Sequence, residues 1–183
     1  ASMLTSCDLG DISIQIIRSA PMMVLGAASS GRTALVEALE GSGQVRWNGA
    51  PIEAGSIAIC RTSTQYEAVY PDDFACSVIS FADKALASTA ELSRGTPGSE
   101  LRPHPDAHSG FAMLSHALEK MILSCPFVLD GPEARRSLRA QLLETAGNLL
   151  TSPRAVQAQR SRDGRTRQRI VHDVDEYLRA NPA

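Results

Sequence analysis

The stretch QVRWNGAPIEAG, residues 44–55, decides how the chain is read. Asn48-Gly49 is a strong short-range hairpin signal, because both central positions of a type I′ turn need positive φ and these two residues tolerate it. Val45 and Trp47 alternate before the turn, and Pro51 and Ile52 follow it. A hairpin here implies partner strands on both sides. Gly55 opens SIAICRT, in which Ile57 and Ile59 share a face. Upstream, Ile12, Ile14 and Ile16 alternate with Ser13 and Gln15, and residues 22–25 form a short apolar run after Pro21. Ala28-Ser29-Ser30-Gly31 reads as a turn. Residues 33–40 (TALVEALE) suit a helix by composition, but the run is short and lies between glycine-rich turns, so a strand is expected. Residues 66–70 and 74–81 complete the set, separated by Pro71-Asp72-Asp73. Several short strands joined by Gly, Pro, Asn and Asp turns suggest a small barrel or sandwich.

The second half reads as helix. Residues 82–94 are a first short candidate, ended by Gly95, and residues 96–105, with three prolines and a glycine, read as a loop. Asp106 is suited to cap a helix running to about Cys125, with Phe111, Leu114, Leu118, Met121 and Cys125 at three- and four-residue spacing. Pro126 stops it. Pro132 falls near the first position of the next helix, and Leu138, Leu142, Leu143, Ala146, Leu149 and Leu150 give that helix a wide apolar face. Pro153 breaks it. An arginine-rich polar linker follows, and then the amphipathic stretch RQRIVHDVDEYLRANPA, residues 167–183.

Composition narrows the function classes. The chain has 183 residues, 43% hydrophobic and 21% charged, which suits one globular domain or a domain with a helical appendage. A net charge of -2 argues against a whole-chain attraction to nucleic acid or anionic membrane. Locally, Arg154, Arg160, Arg162, Arg165, Arg167 and Arg169 are opposed only by Asp163; a soluble linker is the plainer reading and direct DNA contact the sharper one. The four cysteines form no C-x-x-C pair, which points to reduced thiols in a cytoplasmic protein. No apolar run approaches about 18 residues, so no membrane partner is expected.

Catalytic chemistry is sparse. His104 and His108 have i, i+4 spacing with Asp106 between them, but Pro105 places His104 in the loop, so neither a metal nor a cofactor is expected. The strand-rich half offers Glu37, Glu40, Glu53 and Glu67 without a histidine. Residues 28–33 (ASSGRT) lack the glycine spacing and the Lys-Ser/Thr ending of a phosphate loop, and no G-x-S-x-G occurs. The chain is therefore not expected to be an enzyme.

These pieces resemble the regulatory half of an AraC/XylS-family transcription regulator. In the last segment Arg169, Ile170, Val171, Val174, Tyr177, Leu178, Ala180 and Asn181 stand where that family opens its DNA-binding domain, and residues 47–57 (WNGAPIEAGSI) resemble the hairpin-then-glycine pattern of its sensor domain. The resemblance implies an α+β fold: a small cupin-like β-barrel sensor over 10–81, an α-helical dimerisation hairpin over 82–152, a linker over 153–166, and over 167–183 the first helix of a truncated helix-turn-helix domain. It implies a small-molecule effector, a homodimer, and DNA bound through the missing C-terminal domain. Strand alternation nominates Ile14, Ile16, Trp47, Ile57, Ile59 and Tyr66 as pocket residues, and Trp47 leads them because indole offers a large apolar face and one donor. The helical face nominates Leu138, Leu142, Ala146 and Leu149 as the dimer interface. Arg46, out of phase with Val45 and Trp47, is expected outside. The rivals are a cupin-type metal-dependent enzyme and a stand-alone interaction module docking through the helical hairpin.

Overall fold

The computed structural model describes residues 2–40, 45–52, 56–62, 64–70, 73–87, 99–102, 110–124 and 129–151. Ten strands and three helices follow in order: β1 (Met3–Asp8), β2 (Ile12–Ser19), β3 (Met22–Ala27), β4 (Arg32–Glu40), β5 (Arg46–Trp47), β6 (Ala50–Pro51), β7 (Ile57–Cys60), β8 (Gln65–Tyr70), β9 (Phe74–Ala82), α1 (Asp83–Leu86), β10 (Ser99–Arg102), α2 (Gly110–Ser124) and α3 (Pro132–Thr151). The expected linker over 153–166 and final helix over 167–183 lie outside the described residues, as do Asp106, His104, His108 and Cys125.

The fold class is α+β, as expected, but the strands divide between two sheets instead of closing into one barrel. The larger has six strands in the order β1-β2-β9-β4-β7-β10, and the smaller has four in the order β3-β8-β5-β6. All the strand pairings are antiparallel. Residues 33–40 form a strand, with Leu35 opposite Ile79 of β9 and Ile59 of β7. Pairing on both sides, with β9 and with β7, overrides a composition that favours helix. One expectation needs correction. Ser99–Arg102 is a strand paired with β7, not part of a loop. Met3–Asp8, upstream of the residues read for strands, also forms one and pairs along β2. Within the helix expected over 82–94, Asp83–Leu86 is helical as α1 and Ala82 closes β9, while residues 88–94 lie outside the described residues.

The larger sheet is the middle layer of three. One face carries Ile12, Ile14, Ile16, Leu35, Ile57, Ile59, Ile79 and Phe81 into a core shared with Leu86 of α1, Phe111, Leu118 and Ile122 of α2, and Leu138, Leu142, Leu143, Ala146 and Leu150 of α3. The other face carries Val36, Ala58, Cys60 and Cys76 into a second core, closed by Val45, Trp47, Ala68 and Tyr70 from or beside the smaller sheet. Burial on both faces explains why β7 reads IAIC with no polar residue.

Polar ties fix the helices to the strands. Arg18 of β2 meets Glu119 of α2 at 2.5 Å, giving that largely buried carboxylate a cation. Asp83, the first residue of α1, accepts hydrogen bonds from Thr33 Oγ1 at 2.8 Å and Thr62 Oγ1 at 2.5 Å. Arg139 of α3 donates through Nε and Nη2 to both carboxylate oxygens of Asp11, at 2.8 and 2.5 Å, and Arg135 donates to the carbonyl of Asp8.

The Asp11–Arg139 fork has a pH signature. Its hydrogen bonds hold the Asp11 carboxyl below its usual range. A depressed folded-state value adds stability above the unfolded value of about 3.9, and that stability is lost as pH falls toward the folded value. The Arg139 side chain is 44% exposed, so screening keeps the contribution below about 1 kcal/mol. Asp11→Asn should lower the urea midpoint slightly at pH 6 and leave it nearly unchanged at pH 3. Equal losses at both pH values would show that the charge does not matter.

Candidate functional site

The hairpin that opens the sequence argument builds the site. Asn48 and Gly49 have φ of +50° and +79°, the conformation that the type I′ reading requires. Asn48 also clamps the neighbouring strand: its N–H donates to the Glu67 carbonyl at 2.8 Å, and its Oδ1 accepts from the Glu67 N–H at 2.8 Å. The Ile52 N–H donates to the Val45 carbonyl at 2.8 Å and closes the hairpin. Trp47 is thereby held opposite Ala68, a side chain small enough to leave room for an indole. Its diagonal neighbour Tyr66 stacks on it, with ring centroids 4.5 Å apart and planes 12° from parallel.

A second stacked pair stands in the same inter-sheet core. Tyr70 and Phe74 have centroids 3.8 Å apart and an interplanar angle of 12°. Small residues of the larger sheet, among them Ala58, Cys60 and Cys76, face these aromatics. Trp47, Tyr66 and Tyr70 reach this space from the smaller sheet and Phe74 reaches it from the first residue of β9 in the larger one, with small groups of the larger sheet beside them.

Its electrostatics are those of a neutral interior. The buried carboxylates among the described residues, Glu37 and Glu119, are not part of this cluster; Glu37 alternates in phase with Leu35, which faces the helices, and Glu119 lies on α2. Burial pushes the Cys60 thiol up to about 12 and the Cys76 thiol up to about 11. Burial also raises both Tyr66 and Tyr70. At neutral pH every titratable group of this cluster is therefore protonated and uncharged. Protonated thiols are poor nucleophiles, so the site is suited to holding a molecule and unsuited to attacking one.

One polar atom here lacks a partner. Trp47 is 3% exposed, and among the described residues its indole Nε1–H has no hydrogen-bond acceptor. A buried donor without an acceptor costs about 1–3 kcal/mol relative to hydration. Such a cost is tolerable where an acceptor arrives from outside.

Tyr66 is only partly buried and lies over Gly26, its direct partner on β3. A Cβ at residue 26 would stand 2.8 Å from both Cζ and Oη of the phenol. Gly26→Ala should therefore swing the Tyr66 ring off Trp47 while the strands stay paired, because the far end of a side chain is what must move. The expected readout is a changed Trp47 emission with an unchanged far-ultraviolet spectrum. Unaltered emission would mean that the stack does not depend on this clearance.

The six nominated pocket residues do not share one space. Trp47 and Tyr66 face the inter-sheet core. Ile14, Ile16, Ile57 and Ile59 are fully buried on the opposite face of the larger sheet, against the helices. Alternation correctly places Ile57 beside Ile59, and Ile14 beside Ile16, but it does not say which face meets which layer. Tyr70, Phe74, Cys60 and Cys76 were missed; the aromatic clusters flanking residues 71–73 were the available signal. Arg46 is exposed, as expected. Leu138, Leu142 and Ala146 are buried in the chain's own core, and Leu149 packs against it, so this face of α3 is occupied from within the fold. Among the described residues no group of three or more His, Cys, Asp or Glu comes together.

No protein-family model matches the chain, and no curated protein sequence is similar to it. Among solved structures it is similar to an RmlC-like cupin protein from Desulfovibrio desulfuricans, at 15% identity and a TM-score of 0.38, over 44% of this chain and 82% of that one. It is similar to the AraC-like transcriptional activator CuxR at 15% identity and a TM-score of 0.46, over 94% of this chain. The chain spans 64% of the length of that activator. A third likeness is to a putative ethanolamine utilization protein Q from Salmonella typhimurium, at 14% identity and a TM-score of 0.35, over 44% of this chain and 68% of that one. No described helix is long and apolar enough to cross a membrane.

Proposed function

We propose that this chain is the effector-sensing part of an AraC-like transcription regulator and that the effector enters between the two sheets by displacing part of the aromatic packing there, beginning with the half-buried Tyr66 ring. The observation that carries the reading is the buried, unpartnered Nε1–H of Trp47 beside the Tyr66 ring. An effector suited to this space is uncharged, planar enough to lie along the stacked rings, and supplies one hydrogen-bond acceptor to Trp47. A charged effector would have to give up its hydration in a cluster that offers no counter-ion.

The three-layer arrangement supplies a route for the signal. The larger sheet is common to both cores, so a shift of β7 or β9 caused by filling one face changes what α2 and α3 pack against on the other. An effector acts by binding one arrangement of these layers better than the other, which is a population shift. DNA recognition in this proposal belongs to a domain following residue 183, and the working unit is a cytoplasmic homodimer. The protonated thiols and the sparse acid–base chemistry of the site support a binding role over a cupin-type metal-dependent enzyme.

Trp47 is the sole tryptophan of the chain, so its fluorescence reports directly on the site. Titration with neutral aromatic amides such as nicotinamide, set against the matching carboxylates such as nicotinate, tests the reading. A saturable change with a neutral member and none with its carboxylate is expected. Saturation by the carboxylates alone, or by neither series, overturns it.

A further inference from the structure

Seven large hydrophobic side chains are exposed among the described residues, and five of them lie on two edge strands. Met3 and Leu4 belong to β1, and Met22, Met23 and Leu25 belong to β3. Met23 and Leu25 are 62% and 55% exposed and alternate onto one face. β1 bounds the larger sheet and β3 bounds the smaller.

Sheet edges are normally protected, because a free row of backbone N–H and C=O groups templates pairing with another strand. Two edges here follow that rule. β6 is two residues long and ends in Pro51, and β10 carries Glu100 and Arg102. β1 ends in Asp8. β3 has no such protection: its six residues, MMVLGA, include no charge and no proline. It pairs on one side with β8 along its whole length, and no described strand pairs with the other side.

We infer that β3 is a dimer seam, at which two copies of this chain pair β3 antiparallel across a twofold axis and join two four-stranded sheets into one of eight strands. The open backbone row specifies an extended partner. Two antiparallel copies of one strand form a closed, self-complementary contact, which ends at two subunits. The absence of charge on β3 means that self-pairing in any register sets no like charges against each other. Met23 and Leu25 of one copy then lie beside Leu25 and Met23 of the other on a shared outer face. This seam also leaves the apolar face of α3 where the fold already uses it.

The test is sedimentation velocity of the full chain from about 1 to about 100 µM, a range that spans modest dimer affinities. The parent should form dimers. The double variant Met23→Lys/Leu25→Lys should weaken association by at least about tenfold while keeping its circular dichroism, since like charges would face each other across the seam. Met113→Lys/Leu123→Lys, at the two exposed apolar positions of α2, should dimerise as the parent does. Amide exchange of the parent gives a readout that no variant can spoil: exchange over 22–27 should slow as concentration rises. A parent that is monomeric throughout, exchange there that ignores concentration, or dissociation by the α2 pair instead overturns the inference. Ligand binding decides nothing here, because a monomer that still binds neutral amides would sink the seam and leave the sensor reading standing.

Discussion

Leu142→Asp should destroy the folded domain instead of splitting a dimer. Leu142 is 0% exposed and sits in the core shared by the larger sheet and the three helices, with Ile79, Phe81, Phe111 and Leu118. Truncating a leucine at such a site costs about 2–5 kcal/mol through lost transfer energy and the cavity left behind. Aspartate adds a second cost. Its carboxylate would have no partner in this apolar cluster, so it must either protonate or pull the helix off the sheet, at a further several kcal/mol. The sum rivals the whole stability of a typical domain, about 5–15 kcal/mol. The expected result is loss of the cooperative urea transition and of far-ultraviolet signal at 25 °C. A variant that unfolds within about 1 kcal/mol of the parent yet sediments as a monomer would return Leu142 to a subunit interface and refute the packing described above.

The same residue shows where the sequence was legible and where it was not. The period of Leu138, Leu142, Ala146 and Leu149 identified a helix and its apolar face. Periodicity carries no label for the partner of that face, because a leucine stripe packed on a sheet and one packed on a twin helix look alike. The isoleucines posed the same problem on strands. In β7 the large side chains Ile57 and Ile59 turn to the helices, while the small Ala58 and Cys60 turn to the other sheet. Strand alternation grouped the isoleucines with Trp47 and Tyr66, because it does not tell one face of a doubly buried sheet from the other. The inter-sheet space is instead occupied by Trp47, Tyr66 and Tyr70 of the smaller sheet, with Phe74 at the start of β9, so β7 and the next inward position of β9 carry small residues there. Turn chemistry was the most legible feature, since Asn48-Gly49 has few other conformations to adopt in a hairpin. β10 was the least legible, because its pairing with β7 is set by tertiary contacts across a stretch flanked by prolines.

Trp47 should separate stability from binding when it is shortened in two steps. Trp47→Ala removes a buried indole and its stack with Tyr66, and should cost about 3–5 kcal/mol in denaturant unfolding. Trp47→Phe keeps a ring against Tyr66 and deletes the one polar atom in question. In the unliganded protein that deletion relieves a buried donor without an acceptor, a gain of about 1–3 kcal/mol. The smaller ring leaves a void whose cost runs the other way, so stability should stay within about 1 kcal/mol of the parent. With effector present the signs part. The lost hydrogen bond has nothing to offset it, and affinity for the neutral ligand should fall about tenfold. Calorimetric titration is the measurement, because the phenylalanine variant has no tryptophan left to report. If Trp47→Phe binds the neutral amide as tightly as the parent, the indole N–H is not the recognition atom. The effector would then have to be held by shape along the aromatic rings alone, and the proposed need for an acceptor would fall.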